Sequence, residues 1–142
     1  MPTSNASAVW EGGLKDGKGE FRAGSGAFQG AYSFPTRFEG AKGTNPEELV
    51  AAAHAACLSM ALSAGLERAG TPAQRISTTA ACTLEMTGGA PRITRIRLEV
   101  RGKVPGIDQA RFRQAAEEAK NGCPISNLFK NNTAIELDAT LE

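Results

Sequence analysis

The chain has 142 residues, with 16 Lys and Arg against 15 Asp and Glu, and a formal net charge of +1. This length suits a single domain, which we expect to span residues 1–142 and to bury about 70% of its unfolded surface. The balanced charge and the lack of a basic run argue against a nucleic-acid partner. Residues 1–8 do not resemble a signal peptide, and three cysteines do not make an even disulfide framework, so we expect a reducing cytoplasm.

The first third of the chain predicts a β meander. Residues 6–10, 19–23 and 27–34 have the composition of short strands, and glycine-rich turns separate them. Gly24-Ser25-Gly26 looks superficially like a phosphate-binding loop, but neither a lysine nor a helix follows it. We therefore expect a hairpin turn there.

A long helix is predicted next. Asn45 is a suitable N-cap, Pro46 suits the first helical position, and Gly70-Thr71-Pro72 is a stop signal. Residues 49–66 contain no Asp, Glu, Lys or Arg and reach the lower length limit of a membrane span. Their alanine-rich composition is more typical of a helix packed inside a protein, so we expect a buried central helix and no membrane partner.

The remaining chain predicts a second layer of strands and helices. Two alternating segments joined by a glycine-rich hairpin precede a helix, a short helix and a closing strand. These elements are expected over residues 75–86, 92–101, 109–122, 124–130 and 133–141. The overall pattern predicts an α+β fold.

Two cysteines, Cys57 and Cys123, suggest redox chemistry. Cys123 comes directly before Pro124, where a helix can begin, and the unpaired N–H groups of a helix start favour a thiolate. Cys57 lies within the central helix and has no such bias. We therefore expect Cys123 to be the more acidic thiol, and Cys57 to need positive charge from another part of the fold.

Five motifs occur in order and carry a family resemblance. They are Thr36-Arg37-Phe38-Glu39-Gly40, Lys42-Gly43-Thr44-Asn45-Pro46-Glu47-Glu48-Leu49, Ala52-Ala53-His54-Ala55-Ala56-Cys57, Val104-Pro105-Gly106-Ile107-Asp108 and Gly122-Cys123-Pro124. From Trp10 onward the chain resembles the osmotically inducible protein C (OsmC) family. The related organic hydroperoxide resistance branch shares the two cysteines, but these motifs look more like OsmC itself. The resemblance implies an α+β, OsmC-like fold that forms an interlocked homodimer.

The resemblance also implies a thiol-dependent peroxidase. Cys57 matches the cysteine that attacks the peroxide and becomes a sulfenic acid, and Cys123 matches the one that resolves it as a disulfide. Arg37 and Glu47 match the pair that activates the site. The implied partners are an organic hydroperoxide or hydrogen peroxide and a dithiol or lipoylated reductant, with no bound cofactor and no metal.

A simple estimate indicates what Arg37 has to do. Lowering a thiol pKa from about 8.5 to 5.5 raises its thiolate fraction at pH 7 roughly thirtyfold, but lowers its intrinsic nucleophilicity roughly twentyfold. Because these effects nearly cancel, we expect Arg37 to orient the peroxide and to stabilise the departing oxygen. Glu47 is expected to hold the guanidinium through a bidentate pair.

Helix geometry predicts a site shared between subunits. Glu47 precedes Cys57 by ten residues, about 15 Å along a helix axis, so the two side chains cannot share a small site within one helix. If two central helices pack antiparallel around a two-fold axis, Arg37 and Glu47 of one subunit can serve Cys57 of the other.

Other interpretations remain open. His54, three residues before Cys57, allows a Cys-His hydrolase, although no third group is evident and a packing role is more typical of a mid-helix histidine. Cys57, Cys123 and His54 lack the spacing of a zinc site. The two thiols also suit a non-catalytic redox sensor. Glu48 is expected to serve only the helix dipole, and Cys82 to act as a small hydrophobic residue on a strand.

Overall fold

The computed structural model describes every residue, Met1–Glu142, in two compact units, Met1–Leu49 and Val50–Glu142. The expectation of a single domain stays a prediction. In chain order the elements are β1 (Ala6–Glu11), β2 (Lys18–Ala23), β3 (Gln29–Tyr32), α1 (Phe34–Phe38), α2 (Pro46–Arg68), β4 (Arg75–Thr87), β5 (Ala90–Lys103), α3 (Gln109–Gly122), α4 (Pro124–Phe129) and β6 (Ala134–Leu141).

The first unit contains the expected meander. Its strands pair antiparallel in the order β1-β2-β3. The Gly24-Ser25-Gly26 segment forms the hairpin turn between β2 and β3, as predicted: the backbone N–H of Gly26 donates to the Ala23 carbonyl at 3.0 Å, and that of Ala23 donates to the Phe28 carbonyl at 3.0 Å.

The short helix α1 was not predicted, and the expected third strand over residues 27–34 is wrong at its end. The strand stops at Tyr32, because Ser33 caps a helix that begins at Phe34. The Ser33 hydroxyl accepts from the Thr36 N–H at 3.4 Å, and the Ser33 N–H donates to the Thr36 hydroxyl at 2.9 Å. This reciprocal capping pair closes the first turn and places Arg37 in the last turn of α1.

The second unit is built on a sheet of order β4-β5-β6. The strands β4 and β5 pair antiparallel through a two-residue turn, Gly88-Gly89, whose φ angles of 60° and 82° suit glycine. The closing strand β6 pairs parallel to β5, and α3 and α4 lie in the connection between them. These elements confirm the expected second layer of strands and helices.

A regular stripe of α2 enters the core of the second unit. His54, Leu58, Leu62 and Leu66 recur every four residues, and all four side chains are fully buried. The leucines pack in one cluster with the inward residues of β5 and with α3, including Phe112. The helix α2 is long and apolar enough to cross a membrane by length and composition, but this stripe identifies it as a core helix.

The opposite face of α2 is exposed. Only 22% of its most apolar 18-residue window is fully buried, and the other residues are half-buried or exposed. The face is nevertheless apolar: Ala52, Ala53, Ala56 and Met60 lie on it, and the Met60 side chain is 75% exposed. The expectation of a buried central helix therefore holds for one face only.

Candidate active site

The structure brings Cys57 and Cys123 together within the second unit. Their Sγ atoms lie 3.0 Å apart, although 66 residues separate them in the chain. Both are free thiols, with Cys123 fully buried and Cys57 partly buried. Because a disulfide bond is about 2.05 Å long, a movement of about 1 Å would join the two sulfur atoms.

Two helix ends fix Cys123. Its backbone N–H donates to the Ala119 carbonyl at 2.8 Å and ends α3, and its carbonyl accepts from the Asn127 N–H at 3.0 Å and starts α4. Pro124 occupies the first turn of α4, as expected. Cys57, by contrast, lies in the middle of α2. The contact therefore joins a cysteine in the interior of α2 to a cysteine at the start of α4.

The two thiols differ in acidity. Burial raises the pKa of Cys57, the hydrogen bond with Cys123 raises it further, and the Ile125 N–H offsets part of this. Burial alone would also raise the pKa of Cys123, but hydrogen bonds from Cys57, from the N–H and hydroxyl of Ser126 and from the Ile125 N–H outweigh it. The pKa of Cys123 is therefore lowered.

The surroundings of the two sulfurs agree with these pKa directions. The sulfurs share one hydrogen bond. No backbone N–H makes a full capping bond to Cys123, but the N–H groups of Ile125 and Ser126 favour its thiolate. The sequence-based expectation that Cys123 is the more acidic thiol agrees with the lowered pKa of Cys123 and the raised pKa of Cys57.

Arg37 and Glu47 pair within the first unit. Arg37 Nη2 donates to Glu47 Oε1 at 2.8 Å, and Arg37 Nε donates to Oε1 at 3.1 Å and to Oε2 at 3.3 Å. The Glu47 side chain is 8% exposed and that of Arg37 36% exposed, so the carboxylate is buried behind a partly open guanidinium. The expected bidentate pair is present and leaves Nη1 of Arg37 for another acceptor.

The end of α1 and the start of α2 position this pair. Arg37 lies at the end of α1 and Glu47 in the first turn of α2. Asn45 links them, since its side-chain N–H donates to the Thr36 carbonyl at 3.0 Å and its side-chain oxygen accepts from the Glu48 N–H at 2.8 Å. The Glu48 side chain itself is exposed. Asn45 thus caps α2, as predicted, and also fastens α1 to it.

An aromatic cavity lies beside Arg37. It has a volume of about 230 Å³, and its lining residues are Trp10, Leu14, Tyr32, Ser33, Phe34, Arg37 and Phe38. The sequence analysis did not single out Trp10, Leu14 and Tyr32, which reach the cavity only through the fold of the meander. A larger cavity, of about 490 Å³, lies over the β1–β3 strands but contains neither a thiol nor Arg37. The smaller cavity is the better candidate for a substrate side chain.

His54 has a partner that the sequence did not reveal. Its Nε2 lies 2.6 Å from the hydroxyl of Ser126, and both side chains are buried. Burial lowers the pKa of His54, so the imidazole is neutral at pH 7. The signal for Ser126 was its position three residues after Cys123, at the third position of α4.

The remaining candidates have simpler surroundings. Cys82 lies opposite Ile96 in the β4–β5 pair and packs against the core. No group of three His, Cys, Asp or Glu side chains is placed to hold a metal ion.

Known proteins resemble this chain in sequence. The family described as OsmC-like protein matches residues 39–138. The protein named Peroxiredoxin OsmC from Escherichia coli (strain K12) is 48% identical over 130 residues, which is 91% of each chain. The Organic hydroperoxide resistance protein of Xanthomonas axonopodis pv. citri (strain 306) is 31% identical over 101 residues, covering 69% of this chain and 68% of that protein.

Solved structures share the fold. An organic hydroperoxide resistance protein OsmC from Legionella pneumophila superposes with a TM-score of 0.81 at 23% identity and covers 100% of this chain and 98% of its own. An organic hydroperoxide resistance protein from Elizabethkingia anophelis has a TM-score of 0.78 at 26% identity, covering 100% and 96%. These comparisons confirm the expected α+β, OsmC-like fold, and the chain belongs to the OsmC family.

Proposed function

We propose that the protein is a thiol-dependent peroxidase that reduces hydroperoxides through Cys57 and Cys123. The observation that carries this proposal is the 3.0 Å separation of the two sulfur atoms. Membership of a family that includes Peroxiredoxin OsmC supports the same reaction. The aromatic cavity beside Arg37 supports an organic hydroperoxide as the preferred substrate, with hydrogen peroxide as a smaller alternative.

The first step oxidises Cys57. Its thiolate sulfur attacks the terminal oxygen of the hydroperoxide, the S–O bond forms, and the O–O bond breaks. The other oxygen leaves with the bonding electrons as an alkoxide, takes a proton and becomes an alcohol. Cys57 is then a sulfenic acid. The peroxide is reduced by two electrons, and the sulfur is oxidised by two.

Arg37 supplies the positive charge that this step needs. Its Nη1 donors remain available while Glu47 holds Nε and Nη2, so the guanidinium can orient the peroxide and stabilise the leaving oxygen. The buried carboxylate of Glu47 fixes the guanidinium without contacting the substrate.

The proposed site is composite. Arg37 and Glu47 of one subunit serve Cys57 of the other in an interlocked homodimer. The exposed apolar face of α2, with Ala52, Ala53, Ala56 and Met60, supports this assembly because small side chains allow two helices to approach closely. A contiguous run of exposed apolar side chains is a common feature of protein–protein interfaces.

The second step forms the disulfide. The Cys123 sulfur attacks the Cys57 sulfur, the S–S bond forms, and the S–O bond breaks. The oxygen leaves as hydroxide, takes a proton and becomes water. A dithiol or lipoylated reductant then returns both cysteines to thiols by exchange. A reducing cytoplasm, where such reductants are available, is the compartment that we propose.

Steady-state turnover tests the function. The protein is mixed with cumene hydroperoxide or hydrogen peroxide and with dihydrolipoamide or thioredoxin as reductant. We expect many turnovers with cumene hydroperoxide and dihydrolipoamide, and none in Cys57→Ser. A single oxidation without turnover would indicate a redox sensor instead.

A Cys-His hydrolase is less well supported. The Nε2 atom of His54 is already engaged by Ser126 at 2.6 Å, so it does not serve Cys57 as a base. Two results together would favour that alternative. The wild-type protein would hydrolyse esters without showing any peroxidase turnover, and His54→Gln would lose the ester hydrolysis.

A further inference from the structure

His54 and Ser126 form a buried hydrogen-bonded pair one helical turn from Cys123. Ser126 follows Cys123 by one helical turn, at the third position of α4, and its hydroxyl lies 2.6 Å from His54 Nε2. His54, Ser126 and Cys123 are 0%, 3% and 0% exposed. The reaction proposed above does not use the first two of these groups.

The second nitrogen of His54 indicates which atom holds the proton. Nδ1 is buried and has no hydrogen-bond partner. An unpaired N–H is rarer in a protein interior than an unpaired acceptor, so we place the proton on Nε2. His54 then donates to the Ser126 oxygen. With its oxygen accepting from His54, Ser126 is free to turn its own O–H elsewhere.

Cys123 lies one helical turn before Ser126. Ser126 is the third residue of α4 and Cys123 is its N-cap, so the two residues lie on the same side of the helix. The Ser126 hydroxyl acts on the Cys123 sulfur and, against the effect of burial, helps to lower the pKa of Cys123. Cys57 is the titratable group that acts on Cys123, and the core around them is apolar, with Leu58 and Ala119 as neighbours.

We propose that His54 and Ser126 are positioning residues that hold the Cys123 sulfur as an oriented thiolate, ready to attack oxidised Cys57. This inference rests on the proposed function. The chain of donors runs from His54 Nε2–H to the Ser126 oxygen and from the Ser126 O–H to the Cys123 sulfur. It acts in the second step, in which Cys123 donates its electron pair to the Cys57 sulfur and hydroxide leaves.

The first test measures Cys123 without any peroxide. In a Cys57→Ser, Cys82→Ala background Cys123 is the only thiol, and the ultraviolet absorbance of its thiolate is followed against pH. Ser126→Ala removes one hydrogen bond to a charged group, so we expect about a tenfold lower thiolate population below the pKa. Ser126→Thr keeps a hydroxyl and should restore the population. Equal thiolate populations in Ser126→Ala and its parent would overturn the proposal.

A double-mutant cycle tests whether His54 acts through Ser126. In the same background His54→Phe should lower the thiolate population, whereas His54→Gln, which keeps an N–H near the same place, should largely preserve it. In Ser126→Ala the change of His54 to Phe should have no further effect. Additive effects would contradict the proposed order of donors. Thermal unfolding of each variant identifies any that are misfolded.

The tautomer of His54 can be observed directly. His54 is the only histidine, so nitrogen-15 labelling of histidine gives a single set of ring signals in the intact protein. We expect the proton on Nε2, and a proton on Nδ1 would overturn the proposal.

A kinetic measurement connects the pair to the reaction. After one equivalent of hydroperoxide, Ser126→Ala should convert Cys57 sulfenic acid to disulfide about threefold more slowly, because a tenfold smaller thiolate fraction is partly offset by higher nucleophilicity. The rate of peroxide consumption is measured in parallel, so that the two steps are separated. Equal rates of disulfide formation would contradict the role of Ser126. Absence of any sulfenic acid in the parent protein would instead contradict the proposed function, and would leave the thiolate and tautomer results standing.

Discussion

At the scale of single residues, the main feature is that the pKa values of the two thiols are shifted in opposite directions. The pKa of Cys123 is lowered and that of Cys57 is raised, although Cys57 is the proposed nucleophile. Without Arg37, the pKa values of the two thiols therefore favour the second step of the proposed reaction, in which the Cys123 sulfur attacks oxidised Cys57. The first step depends on a cation, and Arg37, held by Glu47, is the group that we propose for it.

Replacement of Arg37 by lysine tests whether charge alone is enough. Lysine keeps the charge, but it cannot make the bidentate pair with Glu47 and still offer a further oriented N–H donor to the peroxide. We expect the kcat/KM for cumene hydroperoxide to fall about 10²-fold, as for the loss of an oriented donor. The matched control is Arg22→Lys on β2, which exchanges an exposed arginine outside the site. Wild-type activity in Arg37→Lys would refute the orienting role.

The buried His54 predicts a pH dependence of stability. Burial lowers the pKa of His54, so below its ordinary value of about 6.5 the unfolded chain binds more protons than the folded one. The contribution of His54 to the free energy of unfolding should therefore be fully present well above about pH 6.5 and be lost as the pH falls below about 6.5. In His54→Gln this loss should disappear. Urea unfolding at several pH values measures it, and an identical slope in both proteins would contradict the account.

The sequence predicted candidate site residues, but not how they are arranged. The residue types and motif order pointed to Cys57, Cys123, Arg37 and Glu47, and the peroxidase expectation agrees with the relatives named Peroxiredoxin OsmC. The closeness of the two sulfurs depends on packing between elements 66 residues apart, which no local pattern encodes. The partnership of His54 with Ser126 was hidden for the same reason.

At the scale of elements, capping explains both the successes and the failure of prediction. Asn45 and Asp108 cap α2 and α3, and both helix starts were recognisable from the sequence. The segment with Ser33 and Thr36 carries a capping signal as well, but the neighbouring aromatic residues favoured a strand there. A short helix can be decided by one reciprocal pair of hydrogen bonds.

The cap of α1 should matter more for activity than for stability. Ser33→Ala removes the capping hydroxyl and should lower the free energy of unfolding by about 1 kcal/mol. It should also reduce peroxidase activity, because Arg37 lies at the end of this helix of five residues. Asp108→Ala is the matched control, since it removes the cap of α3 at a similar cost in stability. Equal activities in the two variants would show that α1 does not position Arg37.

At the scale of the whole molecule, the exposed face of α2 is the feature that one chain leaves unexplained. Small apolar residues lie along it while the leucine stripe on the other face fills the core. The sequence predicted a buried central helix, and the structure buries only one face of it within the chain. Composition does not distinguish burial within a chain from burial between chains. The proposed homodimer accounts for the exposed face.

A charge on this face should separate the subunits. Met60 is 75% exposed, and Met60→Glu would bury two carboxylates in the proposed interface. We expect a smaller particle in size-exclusion chromatography with light scattering, together with loss of peroxidase activity because the composite site is broken. Met86→Glu, at a residue 66% exposed near the end of β4, should remain dimeric and active. A monomeric Met60→Glu with full activity would place each site within one chain.

The most direct test of the account is to identify the product of a single oxidation. The reduced protein is mixed with one equivalent of cumene hydroperoxide, quenched with an alkylating reagent and analysed by peptide mass spectrometry without reduction. We predict a disulfide between Cys57 and Cys123, with Cys82 alkylated, and in Cys123→Ser a sulfenic acid at Cys57. An oxidised protein in which Cys57 and Cys123 remain separate and alkylated would contradict the proposed function.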